Sequence, residues 1–306
     1  MSISTLVPGL LAIIGAPLLL GVTNQTKALF AGRTGPPLLQ TYHDLRKLLG
    51  KGAVYSRTTT WVFRAGPVVG LAAVLAAVTV VPFGGCRAVL GFEGDIVLFA
   101  YVLGLARFMT VIAALDTGSA FEGMGASREV LFSTLAEPSL LLGLAAVARS
   151  TGGLSLSDLH MAFHVAAWGD SGIVLGLVAV VLLVVFLAEN SRIPVDDPNT
   201  HLELTMIHEV MVLDHSGPDL AFILYGASLK LWLLGSLIVG LVVPRVGITA
   251  VDVGIACVGM LVLAVTLGVI ESTMARLRMP RVPELLIGAV TLAGLALVLE
   301  YARNLP

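Results

Sequence analysis

Apolar residues run along this chain in long, nearly uninterrupted blocks, not in the narrow stripes of a soluble helical bundle. A helix crossing the ~30 Å hydrocarbon core of a bilayer needs roughly 20 mostly apolar residues. Eight blocks qualify, at about 4–23, 61–82, 95–115, 130–149, 171–189, 220–243, 251–271 and 285–302. The Gly and Pro residues inside them (Gly15, Pro17, Gly176, Gly235) are compatible with spanning helices, because neighbouring helices re-satisfy the backbone. The pattern predicts an all-α, polytopic integral membrane protein. It forms one membrane domain over 1–306, with about eight transmembrane helices plus amphipathic helices in the connections.

Two connections carry patterns of their own. In 24–60, Gly35-Pro36-Pro37 precedes LLQTYHDLRKLLGK, where Leu38, Tyr42, Leu45 and Leu49 recur at helical spacing. His43, Asp44, Arg46 and Lys47 fall largely off that stripe. Proline suits a first helical turn, so an amphipathic helix is predicted to begin at this point, and both a membrane-surface position and a partner-docking role fit it. In 190–219, Asp196 or Asp197 is placed to cap a helix begun by Pro198, and Thr200 with Glu203 has capping-box spacing. A helix over roughly 198–214 is expected, ended by Ser216-Gly217-Pro218.

Composition strengthens the membrane assignment. The 306 residues are 57% apolar and 12% charged, with a mean hydropathy of +0.96, against about 25% charged residues in soluble domains. The net charge of −2, without a basic tail or stripe, argues against nucleic acid as a partner. Cys86 and Cys257 are far apart and lack metal-ligand spacing, which points to packing residues. The first apolar run, Leu6 to Val22, lacks the basic n-region of a cleavable signal.

Charge also orients the spans. Connections after spans 1, 3, 5 and 7 hold eleven Lys and Arg residues, against four on the opposite side. The positive-inside rule therefore predicts both termini away from the cytoplasm, and the 24–60 and 190–219 loops on the cytoplasmic side.

The charges inside the spans carry the chemistry. An ionisable group at bilayer depth costs at least ~2.5–3.5 kcal/mol on insertion scales, so it faces protein or water. Arg107, Asp116, Glu137, Glu189, Lys230 and Glu271 lie within or at the ends of spans. For Asp116, Glu189 and Glu271, helix-holding ion pairs compete evenly with a functional role. Glu137, directly before Pro138, and Lys230 are buried by position, which favours proton handling or partner pairing. His201, His208 and His215 recur every seven residues and would share one helix face. They would span about 21 Å, too far for one metal ion, so a proton-conducting or electrostatic surface fits better. His160 and His164 have i, i+4 spacing without a third ligand and read as an ordinary loop feature. No phosphate loop, nucleophile elbow or dinucleotide fingerprint occurs, so bond chemistry by this chain alone is not expected.

Several segments resemble one membrane family. Ala188-Glu189-Asn190-Ser191-Arg192-Ile193-Pro194-Val195-Asp196, continuing to Glu203-Leu204 and Ser216-Gly217, resembles a signature of the quinone-chamber subunit of respiratory complex I (its subunit 1) and of related anchor subunits of membrane-bound nickel–iron hydrogenases. Gly32-Arg33-Thr34-Gly35-Pro36 resembles the family's first cytoplasmic loop. Leu115-Asp116-Thr117-Gly118, Gly125-Ala126-Ser127-Arg128-Glu129 and Glu137-Pro138 resemble the loop and helix after span 3. Glu271-Ser272-Thr273-Met274-Ala275-Arg276-Leu277-Arg278 resembles a late motif of hydrogenase-type members, notably formate hydrogenlyase subunit 4.

The resemblance implies a membrane-anchor and ion-coupling subunit of a bacterial or archaeal cytoplasmic membrane, without its own redox centre. Iron–sulfur clusters, and nickel–iron, would belong to partners: a peripheral iron–sulfur subunit and a hydrogenase-type large subunit, with antiporter-like membrane subunits beside them. The implied proton or ion pathway comprises Glu137, Glu189, Arg192, Asp196, His201, Glu203 and Lys230. Candidate docking residues are Arg33, Arg46, Lys47, Arg128, Glu209 and Asp214. Complex I members usually have Phe where Val195 stands and carboxylates where Asn199 and His201 stand, differences that favour the hydrogenase-like branch. The alternative is a true quinone-chamber subunit. A stand-alone secondary transporter is a third reading, against which the lack of an internal repeat counts.

Overall fold

The computed structural model describes residues 3–162, 165–196 and 207–303. Among them, eight helices are long and apolar enough to cross a membrane. These are α1 (Ile3–Phe30), α3 (Trp61–Val80), α4 (Asp95–Asp116), α5 (Ala120–Thr151), α7 (Val165–Glu189), α9 (Gly217–Val242), α10 (Thr249–Thr273) and α11 (Arg281–Arg303). Three short helices lie between them: α2 (Gln40–Leu49), α6 (Leu156–Ala162) and α8 (His208–Met211). Connections at one end of the bundle include 31–60, 190–196 and 207–216; that end is called the long-loop face. The other, where α1 begins and α11 ends, is the terminal face.

Helix α9 runs through the centre, burying Leu229, Trp232, Leu233 and Leu234, and packs on α1, α3, α7 and α10. A second group, α5, α7 and α11, closes against it, with α4 bridging α3 to α5. Small residues set close helix crossings. A Cβ on Gly268 of α10 would lie 2.6 Å from Thr26 Cβ on α1, so only glycine permits that approach.

Helix ends use local chemistry. The Asp116 carboxylate at the end of α4 accepts the Thr60 N–H at 2.7 Å, the Thr60 hydroxyl at 2.8 Å and the Phe63 N–H at 3.2 Å. The Thr60 hydroxyl in turn accepts the Val62 N–H at 3.2 Å. A carboxylate thus satisfies the open N–H groups of α3 at the positive end of its dipole, which gives Asp116 a structural role. On the terminal face, Asp95 accepts the Leu156 N–H at 2.6 Å and the Ser155 hydroxyl at 2.9 Å, tying α4 to the start of α6.

Three expectations change. Helix α2 starts at Gln40, after Pro36 and Pro37 have been spent in an extended segment and a turn, so the prolines are not in its first turn. Within the described part of 198–214, only His208–Met211 is helical and 212–214 form a turn. The remainder, 198–206, together with Asp197, Asn199 and His201, lies outside the described residues. His208 and His215 therefore do not share one continuous helix face. His160 is not an ordinary loop residue: it lies in α6, its Nε2 accepting the Gly85 N–H at 3.4 Å, its ring against Gly240 of α9. His164 lies outside the described residues.

Candidate functional site

Four spanning helices bring charge to one point at bilayer depth. Arg107 in α4, with its side chain only 8% exposed, is the hub. Its Nη2 donates to both oxygens of Glu189, at the end of α7, at 2.5 and 2.6 Å. Its Nη1 donates to Glu137 of α5, and its Nε lies 3.4 Å from Glu129, two turns earlier on the same helix. Lys230 of α9 places Nζ 2.7 Å from Glu189 Oε2. Glu189 is thus held between a guanidinium and an ammonium, the pairing that makes a buried carboxylate tolerable. Three acids meet two bases here, so the cluster holds one carboxylate in excess.

Two smaller groups continue from it toward the long-loop face. Glu271, fully buried at the end of α10, faces Lys27 Nζ at 2.7 Å and Arg192 Nη1 at 3.4 Å. Asp196 pairs with Arg276 at 2.9 Å. Its Oδ2 also accepts the Ile207 and His208 N–H groups at 3.2 and 3.3 Å, anchoring the start of α8. Across the three groups, five acids balance five bases. His208 stands among Lys230, Asp196 and Arg192. Burial, then Lys230, holds its imidazole down to about 4, with Asp196 acting the other way and Arg192 adding to the depression. It is neutral near pH 7.

Two recesses reach the cluster from different sides. One opens between α1, α3 and α9, walled by apolar residues such as Leu20, Pro67, Leu71 and Phe222, and ends on Arg107, Glu129, Glu189, Arg192, His208 and Lys230. The other lies between α4 and α5, lined by Tyr101, Gly104, Phe108, Glu137 and Leu141. Arg107 and Glu189 line both. This ion pair therefore lies on the boundary of both recesses.

The structure brings Glu137, Glu189 and Lys230 together as one cluster, while Arg192 and Asp196 sit in the neighbouring pairs. His201 and Glu203 lie outside the described residues. Glu137 differs from expectation: its side chain is 46% exposed and faces the α4–α5 recess, at the edge of the bundle. Sequence reasoning did not place Arg107 in the site, although an arginine in mid-span was the signal for it. Glu129 was hidden by a boundary drawn at about 130, whereas α5 begins at Ala120 and carries Glu129 inside the helix. Among the docking candidates, Arg33, Arg46, Lys47 and Asp214 are exposed on the long-loop side. Arg128 and Glu209 are half-buried and already engaged.

Comparison with known proteins yields a consistent set. The family profile described as NADH dehydrogenase matches residues 3–302. Formate hydrogenlyase subunit 4 of Escherichia coli (strain K12) is 32% identical over 301 residues, 96% of each chain. Hydrogenase-4 component C of the same organism is 31% identical over 298 residues, covering 92% of this chain and 88% of the relative. A chain of the membrane-bound sulfane sulfur reductase, an archaeal respiratory membrane complex, superposes with a TM-score of 0.82 at 21% identity, covering 97% of this chain and 100% of its own. That likeness shows a shared fold.

Proposed function

Since this chain belongs to the NADH dehydrogenase family, of the complex I subunit 1 type, we propose that it is the membrane-anchor and ion-coupling subunit of a formate hydrogenlyase-like or group 4 hydrogenase-like complex. It is a multi-pass subunit of a bacterial or archaeal membrane, and its relatives support membership of a hydrogenase-like assembly. The observation that carries the coupling role is the shared ion pair: Arg107–Glu189 lines two recesses, with a surplus carboxylate beside it. A group that gives or takes a proton there links one recess to the other without an open channel. The charge alternation supports a cytoplasmic long-loop face. On that face an iron–sulfur subunit and a hydrogenase-type large subunit dock near Arg128, Glu209 and Asp214, and the redox clusters belong to them. Glu137 cannot face lipid at that exposure without a cost of ~2.5–3.5 kcal/mol or more. A neighbouring membrane subunit therefore covers the α4–α5 recess.

Glu189→Gln and Glu137→Gln variants of the purified complex test this. Assembly with a hydrogenase-type large subunit should persist, while ion translocation per turnover should fall at least tenfold in one or both variants. Unchanged translocation in both defeats the coupling role, and recovery of the chain alone under mild extraction defeats the subunit role. A second reading, a quinone-chamber subunit, draws on the apolar walls of the α1–α3–α9 recess, which suit an isoprenoid tail. It requires quinone reduction by the parent complex and sensitivity to quinone-site inhibitors.

A further inference from the structure

The segment between α1 and α3 carries five cations, Arg33, Arg46, Lys47, Lys51 and Arg57, against one acid, Asp44. Asp44 already accepts a hydrogen bond from Gln40 Nε2 at 2.9 Å. All five cations are exposed, and among the described residues none has an acidic partner. Interleaved with them are exposed apolar side chains: Leu29, Phe30, Leu38, Leu49, Val54 and, at 75%, Trp61. On α2 the two classes separate by face. At 100° per residue, Tyr42, Leu45, Leu48 and Leu49 fall on one side, and His43, Arg46 and Lys47 on the other.

The depth of α2 decides what meets this patch. The backbone carbonyl of Leu38 lies against Gly21 of α1, roughly 13 Å short of the end of that helix at Phe30. The Tyr42 hydroxyl donates to the Ile14 carbonyl, deeper on the same span. Tyr225, in the third turn of α9, donates to the neighbouring Ile13 carbonyl at 3.0 Å. Helix α2 thus lies against two spanning helices, α1 and α9, below the Phe30 end of α1 and without a buried residue of its own. An amphipathic helix placed beside spans in this way has the station of an interfacial helix. A soluble subunit would dock above this level, on the projecting end of α1.

We infer that the α2 segment is a binding site for anionic phospholipid. Headgroup phosphate is held by Arg46, Lys47 and Lys51, with acyl chains lying along Leu49, Val54 and Trp61. Charge complementarity selects the acidic lipid, because a zwitterionic headgroup has no net charge for an unbalanced cluster to attract. This site is separate from the ion-pair network and does not depend on the coupling role.

The full-length chain in phosphatidylcholine nanodiscs tests the site, with Trp61 as reporter. Quenching by brominated phosphatidylglycerol and by brominated phosphatidylcholine is compared, and the Trp61→Phe signal is subtracted to remove Trp168 and Trp232. The parent chain should be quenched at least about fivefold more efficiently by the anionic lipid, the order expected for even one effective charge. The Arg46→Gln, Lys47→Gln, Lys51→Gln triple variant should bring that ratio to about one. A charge-conserving triple, Arg46→Lys, Lys47→Arg, Lys51→Arg, should keep it. A ratio near one in the parent, or an unchanged ratio in the glutamine variant, overturns the site. Should the glutamine variant keep its lipid ratio and instead lose peripheral subunits from the purified complex, the patch docks protein and the lipid assignment is wrong.

Discussion

Replacing Arg107 by methionine keeps most of the side-chain volume and removes the charge that four helices share. In the parent, the guanidinium contacts both oxygens of Glu189, Glu137 and, at 3.4 Å, Glu129. Without it, three carboxylates face Lys230 alone. Two unit charges 4 Å apart interact by about 4 kcal/mol at an effective dielectric of 20. Removing one partner of a buried pair typically costs about 3–5 kcal/mol, because the other charge is left uncompensated. At roughly 2–4 °C per kcal/mol for a chain of this order of size, the thermal midpoint in detergent should fall by roughly 6–20 °C, read by tryptophan fluorescence. Adding Glu189→Gln in the Arg107→Met background removes one stranded charge and should recover part of the loss. The two substitutions are therefore expected to be non-additive by at least about 1 kcal/mol, within the range for residues sharing one network. A midpoint for Arg107→Met within about 1 °C of the parent, or strict additivity in the double variant, would refute the hub.

Asp116→Ala should open the first turn of α3, at a cost of about 0.5–2 kcal/mol, and be seen as faster hydrogen exchange at residues 60–63. Gly268→Val places side-chain atoms where Thr26 Cβ already stands, 2.6 Å from the first added carbon. It should lower the midpoint by the equivalent of about 1–3 kcal/mol, with Gly268→Ala milder; equal midpoints would mean that α1 and α10 do not meet as described. His160, beside Arg245 and Asp252, is pushed down to about 4, by burial first and then by Arg245, with Asp252 opposing. The folded state resists a proton that the unfolded chain accepts near 6.5. Stability is therefore intact above about pH 6.5 and is lost as pH falls toward 4, by at most about 3 kcal/mol. His160→Gln should flatten that part of the midpoint-versus-pH curve between pH 6.5 and 4.5, and parallel curves would remove His160 as a cause.

The spans were legible because length and apolarity decide them almost alone: 95–115 differs from α4 by one residue, and 171–189 matches the spanning part of α7, Ser171–Glu189. Boundaries failed where helices run past the lipid. Helix α5 begins ten residues before the apolar block at 130, since Glu122, Arg128 and Glu129 are polar yet helical, and hydropathy cannot see a helix that continues outside the membrane. That one boundary cost the site Glu129. Glu189 and Lys230 could be nominated from depth, but their pairing could not, because α7 and α9 are joined through a long connection and their contact is set by packing. The exposure of Glu137 was equally invisible: position in a span gives depth, and which way the side chain faces comes only from the neighbours.

The ion-pair hub also constrains how the chain is made. Arg107 enters the membrane 30 residues before Glu137 and 82 residues before Glu189 exist to neutralise it. At translation rates of about 5–20 residues per second, that second interval lasts roughly 4–16 seconds. Before α5 follows, α4 carries a charge that lipid penalises by ~2.5–3.5 kcal/mol or more. Glu129 and Glu137 of α5 offset it first, and the bidentate partner comes only with α7. The order in which the arginine is neutralised is written into its spacing from its acids.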